Sequence, residues 1–216
     1  MNLLNFSPAV ILYALVTLLI SLTVHEFAHA WTAVQFGDET PRLAGRLTLN
    51  PLKHLDPIGA LMLIIVGFGW AKPVPINPYA LERRSPAALM LVSLAGPFSN
   101  FLLAILAAIP LRLKILTMPF STNRYFPSLH EFLVYFLITN LALMIFNLIP
   151  IPPLDGERIL SFLLPGELGR FYEQLRPYGP LILFAVLMVG PMIGFNLMDI
   201  LLKPAIYTIG RFLLGG

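Results

Sequence analysis

His25, Glu26 and His29 stand in "TVHEFAHAWTAVQFGD", residues 23 to 38, at the end of an apolar run that begins near Pro8. On a helix the two histidines, four apart, project from one face about a turn from each other, and Glu26 lies on the adjacent flank. One metal ion reaches both imidazoles. Zinc suits neutral imidazole, and a neighbouring carboxylate that does not ligate can take a proton from metal-activated water. Ionisable groups inside an apolar span are costly and usually functional, so three together point to a bound cation. The competing explanation is polar contact between helices.

A catalytic zinc commonly takes three protein ligands and leaves a position for water. The chain has no cysteine, which leaves His, Asp and Glu for the third. Downstream candidates are Glu39, His54, Asp56, Glu82, His130, Glu131, Asp155, Glu157 and Asp199. Asp56 and Glu131 are accounted for as helix caps, Glu82 belongs to the charged run "LERRS", and His130 adjoins a capping box. Asp155 differs, because in "FNLIPIPPLDGERIL" an apolar helix is broken by Pro150, Pro152 and Pro153. Backbone freed there must line a cavity or be buried in protein, and an acid just past the break is a good ligand candidate. Its other reading is an N-cap for a helix starting near Gly156.

The elements that must position these groups follow from composition. Of 216 residues, 57% are hydrophobic and 12% charged, with a mean hydropathy of +0.81. That balance excludes an ordinary soluble domain and predicts an all-α polytopic membrane protein. Spans are expected at about 8–35, 87–110, 131–149 and 179–202, each able to cross about 30 Å of hydrocarbon. Ser7-Pro8 and Ser85-Pro86 supply start signals, and "SLHE" at 128–131 has capping-box spacing. "PIGALMLIIVGFGW", 57–70, is short for a full crossing and reads as a re-entrant or interfacial helix. The stretches 44–50 and 71–78 read as short extended segments, able to hold a peptide strand by edge pairing or to serve as plain connections. One membrane-embedded domain, 1–216, is expected, with no polar stretch long enough for a separate module. "MNLLNFSPAV" has no positive charge or cleavage site and reads as the start of the first helix rather than a removable signal.

"HEFAH" at 25–29, "AGPFSNF" at 95–101 and "NLIPIPPLDG" at 147–156, in that order, resemble the site-2 protease family of intramembrane zinc metalloproteases. "GRLTLNPLKHLDPIGALM" further resembles a compact bacterial and archaeal branch without PDZ or nucleotide-sensing domains. The resemblance implies one zinc per chain held by His25, His29 and Asp155, with Glu26 as catalytic acid/base and Asn147 stabilising the transition state. Many members have a second glycine after the Asp-Gly pair. Here Glu157 follows, a second carboxylate able to compete for the metal or tune it.

Topology offers a separate constraint. His25 lies about 26 Å along the helix from Pro8, toward the side where residue 36 emerges. Asp155 reaches the same metal only if 131–149 also ends on that side, so 36–86 makes no net crossing. That side then carries Arg42, Arg46, Lys53, Lys72, Arg83, Arg84, Arg158, Arg170 and Arg176, against Arg112, Lys114, Arg124, Lys203 and Arg211 elsewhere. The positive-inside bias makes it cytoplasmic, in a multi-pass protein of the cell membrane. The expected partners are a membrane-protein substrate helix and the lipid bilayer, with no nucleic acid. A metal transporter would use an intramembrane His/Asp path but accounts less well for Glu26, and this chain lacks the internal symmetry common in transporters. A catalytically silent membrane adaptor would not need Glu26.

Overall fold

A computed structural model describes residues 8–59, 62, 69–116 and 128–216. The chain is an all-α polytopic membrane protein. Helix α1 spans Pro8–Gln35, α2 Pro78–Arg84, α3 Ala88–Arg112, α4 Leu129–Asn147, α5 Asp155–Leu163, α6 Gly166–Leu175, α7 Gly179–Phe184 and α8 Lys203–Leu214. A single turn, Thr40–Leu43, follows α1. Local signals explain several boundaries. Pro8 opens α1, and Ser128 with Glu131 forms the reciprocal capping box at the start of α4. Asn77 caps α2, and the Asp56 carboxylate accepts from the Ile58 and Gly59 amides.

Helix directions are read from which ends touch. At one end, Tyr13 of α1 donates to Glu131 of α4, and Arg112 of α3 donates to the carbonyls of Phe212 and Leu213 in α8. At the other, Ala33 of α1 packs with Leu81, Ala88 and Val92, while Leu202 packs with Ile145 and Ile149. Thus α1 and α4 run one way, and α3 and the last helix run the other. The end of α1 and the start of α3 lie together, so 36–86 makes no net crossing, as expected. Leu55 and Ala71 form an isolated antiparallel bridge, and Lys72 N–H donates to His54 O, which brings both ends of 57–70 together. The expected re-entrant helix there falls mostly outside the described residues.

Two expectations need correction. Four helical stretches are long and apolar enough to cross a membrane: 8–35, 88–112, 129–147 and 166–193. The span expected at 179–202, however, is interrupted. Pro191 cannot continue the ladder, Gly194 takes φ 84°, and Asn196 caps a new helix that begins as a π turn at Met198–Leu202 and continues into α8. Tyr172, Arg176, Gly179 and Leu183 all pack on residues 150–157, so this side of the break stays at the Ile149 end of the bundle. The stretch running from the Ile149 end to the Arg112 end is therefore 198–214. The second correction concerns 44–50, where a turn at 44–45, closed by Gly45 N–H to Arg42 O and Arg46 N–H to Pro41 O, is followed by a bend at 47–48. Only 71–77 keeps an irregular, strand-like path.

The core lies between α3 and α4, where Ala104, Ala107 and Ala108 meet Phe136, Leu137 and Leu141. Alanines on α3 let the two helices approach closely, as small residues do in membranes, and Ile206, Ile209 and Leu213 of α8 close the third side.

Candidate metal centre

His25 and His29 project from the last turns of α1 and meet Asp155, the first residue of α5. The Nε2 atoms are 3.0 Å apart, and Asp155 Oδ2 lies 3.2 Å from that of His25 and 3.3 Å from that of His29. Among the described residues these three form the group able to hold a metal ion. A tetrahedral ion with bonds of about 2.0–2.1 Å needs ligand separations of about 3.3 Å, which this triangle nearly matches. The proton inventory agrees. His29 Nδ1 is 2.7 Å from Val92 O, which only accepts, so Nδ1 carries the proton and Nε2 is left bare. Asp155 Oδ2 is buried with no hydrogen bond. Lone pairs facing one another without a proton between them suit a cation.

The reading of Asp155 as an N-cap is not what the structure adopts. Leu154 occupies that position without a side-chain cap, and the aspartate sits one residue inside the helix, turned to the histidines. Gly156 permits this, since a Cβ there would lie 2.6 Å from Ile149 O. Gly96 does the same on α3: a Cβ would lie 2.5 Å from His29 Cε1 and 2.6 Å from His25 Cε1. Ser93, Gly96, Pro97, Ser99 and Asn100 are all buried, so this part of α3 approaches the histidines closely.

Residues 13–190, which take in all three ligand candidates, match the family model of peptidase family M50. The chain belongs to peptidase family M50. The YwhC protein of Bacillus subtilis (strain 168), named a candidate zinc metalloprotease, is 41% identical over 189 residues, covering 88% of this chain and 85% of its own length. The Rip2 protein of Mycolicibacterium smegmatis, named likewise, is 38% identical over 184 residues, 82% of this chain and 66% of its own length. A third, from Methanocaldococcus jannaschii, is 27% identical over 158 residues, covering 73% of this chain and 74% of its own length. No solved structure is a significant match.

Around the metal group of this M50 chain, three further placements matter. Glu157 is buried but turned away: it accepts from Arg176 Nε at 2.8 Å and from Ser161 Oγ at 3.1 Å, which leaves Asp155 as the acid at the histidines. Asn147 sits at the end of α4 with its amide donating to Leu143 O at 3.0 Å, within its own helix. Glu26 faces Arg46, whose Nη2 lies 3.8 Å from Glu26 Oε2, a charge contact rather than a hydrogen bond. Arg46 is buried and also donates to Lys72 O, tying the start of the 71–77 segment to the acid. Burial lowers its guanidinium from the ordinary value, and the Glu26 charge opposes that.

Arg46 and Asn100 are the residues that pattern reading undervalued. In the sequence Arg46 counts only among the cations of its side, and Asn100 appears only within the "AGPFSNF" segment. The detectable signal for Asn100 was a fully amide side chain inside an apolar span, which is costly unless partnered. Nothing local distinguishes Arg46 from the other arginines of its face. His54, left without a role by its sequence position, is buried and donates from Nε2 to Thr48 O at 2.8 Å, bracing the loop that carries Arg46.

Proposed function

We propose that this M50 chain is a zinc-dependent intramembrane endopeptidase that cuts membrane-spanning segments of other proteins. The observation that supports it most is the convergence of two imidazole nitrogens and a carboxylate oxygen inside a pack of apolar helices, with a further carboxylate, Glu26, on the same helix as the two histidines and in a charge contact with Arg46. His25, His29 and Asp155 would hold one zinc per chain, which would supply Lewis acidity toward water and a peptide carbonyl. Glu26 takes the proton of the attacking water and returns it to the leaving amine. Asn147 swings its amide from Leu143 O to the developing oxyanion. The substrate helix must open locally, because its carbonyls are paired within the helix. The 71–77 segment, next to the Leu55–Ala71 bridge, offers an edge for the opened strand.

Orientation follows from charge. The metal end carries Arg42, Arg46, Arg83, Arg84, Arg158, Arg170 and Arg176, and the positive-inside bias makes it the cytoplasmic face of a cell-membrane protein. Reconstitution in liposomes with a single-span substrate tests the function. Wild type is expected to cleave in the presence of zinc and to stop on chelation. His25→Ala, His29→Ala and Asp155→Ala should lose zinc, whereas Glu26→Gln should keep zinc and lose cleavage. Zinc flux across sealed vesicles, with no cleavage of any spanning substrate, would instead make the protein a transporter.

A further inference from the structure

We propose that Asn140, in the middle of α4, acts through Asn100 to fix the tautomer of His25, and so sets metal affinity without touching the metal group. The inference rests on the zinc reading above only for its consequence; the relay itself is a matter of hydrogen-bond direction.

Asn140 and Asn100 are both completely buried. The Asn140 amide nitrogen lies 2.9 Å from Phe136 O, one turn back in α4. A carbonyl only accepts, so the nitrogen end of the Asn140 amide must face Phe136 and its oxygen must face away. That oxygen lies 3.0 Å from Asn100 Nδ2, which is also 3.4 Å from Ser21 O. Both neighbours of Asn100 Nδ2 are acceptors, so the Asn100 amide is fixed in turn. Its oxygen then faces His25 Nδ1 at 2.6 Å, and His25 must donate there. The proton stays on Nδ1, and Nε2 presents its lone pair to the ligand triangle. His29 needs no such chain, since Val92 O fixes its tautomer in one step.

The relay crosses α4, α3 and α1, and its first link stands two side chains away from the ligand. Without the Asn140 oxygen, Asn100 keeps only the long contact to Ser21 O. Its amide is then free to turn and offer N–H to His25 Nδ1, which drives the imidazole proton to Nε2 and blocks ligation. Asn140 is thus a positioning residue, and its acceptor oxygen is the property that matters.

The test uses the full chain in detergent, with zinc affinity measured by chelator competition and the metal-free imidazole tautomers read from nitrogen-15 NMR of labelled histidine. Asn140→Leu is expected to weaken zinc binding about 10–100-fold, the usual effect of losing an outer-shell partner, and to move His25 toward the Nε2–H form. Asn140→Asp, which when buried and protonated donates its O–H to Phe136 O and still turns its other oxygen to Asn100, is expected to keep the Nδ1–H form and stay near wild-type affinity. Asn100→Asp presents oxygen whichever way it turns, so in the Asn100→Asp background Asn140→Leu should no longer disturb the tautomer. An unchanged His25 tautomer and affinity in Asn140→Leu would overturn the relay, as would failure of Asn100→Asp to suppress it. Should Asn140→Leu not fold, the suppressed double variant and Asn140→Asp still decide, since a shifted tautomer in either contradicts the relay. A wild type that binds no zinc would sink the metal reading alone, with the NMR arm still judging the relay.

Discussion

Gly96→Ala adds one methyl group at the point where α3 meets both imidazoles. The new Cβ would sit 2.5 Å from His29 Cε1 and 2.6 Å from His25 Cε1, where carbon–carbon contacts settle at about 3.5–4.0 Å. Rings or helix must therefore yield by about 1 Å, against a tolerance of about 0.2 Å for metal–ligand distances. Neither ring has a free direction, because each is anchored by its Nδ1, to Asn100 and to Val92 O. The fold itself is not expected to suffer much. Alanine gains about 1 kcal/mol over glycine in a helix, which offsets part of an overpacking cost of about 1–3 kcal/mol. Metal loss should thus be separable from unfolding: the metal-free variant melts near the wild type, while bound zinc, measured by elemental analysis after equilibration with a chelator, falls at least about 100-fold in affinity. Full zinc occupancy at wild-type affinity in Gly96→Ala would refute the placement of the triangle against α3.

Glu157→Gln is expected to keep zinc and to lower the melting temperature, by about 1–2 kcal/mol of stability, because its partner Arg176 is half exposed and screened; loss of zinc there would move the third ligand away from Asp155. Asn147→Ala should leave zinc unchanged and reduce kcat about 10²–10³-fold, the usual loss of an oxyanion donor, and an intact kcat would remove Asn147 from the chemistry. Arg46→Met should retain zinc but forfeit part of the roughly 10²–10⁴-fold that a positioned acid/base supplies, with Arg46→Lys intermediate; equal rates in all three would make the Arg46–Glu26 contact irrelevant. Cysteines placed at Arg42, Glu82 and Arg170 should label from the cytoplasmic face and one at Lys114 from the opposite face, and split labelling between Arg42 and Glu82 would break the no-net-crossing topology.

Much of the site was readable in one dimension because its residues violate their surroundings. Two histidines and a glutamate in an apolar run, and an aspartate just beyond three prolines, cost too much in lipid to be incidental, and helical spacing alone puts His25 and His29 on one face. The first three spans were equally clear, since hydropathy and caps are local properties. The last one was not. Residues 179–202 are mostly apolar, and only the packing of Gly179 on Pro152 and of Leu183 in the cluster with Ile149 shows that this stretch stays at the Ile149 end, while 198–214 runs from there to the Arg112 end. In the sequence, Asp155 is preferred to Glu157, two residues on, by the proline break before it and by the family resemblance, not by any local feature that turns Glu157 away. In the structure Arg176, nineteen residues from Glu157, pairs with it and draws it aside. The partners of Arg46, Asn100 and Asn140 come from elements far apart in the chain. A residue's type and its local periodicity are written in the sequence, whereas the partner that satisfies a buried amide or a buried charge is chosen by which helices pack together.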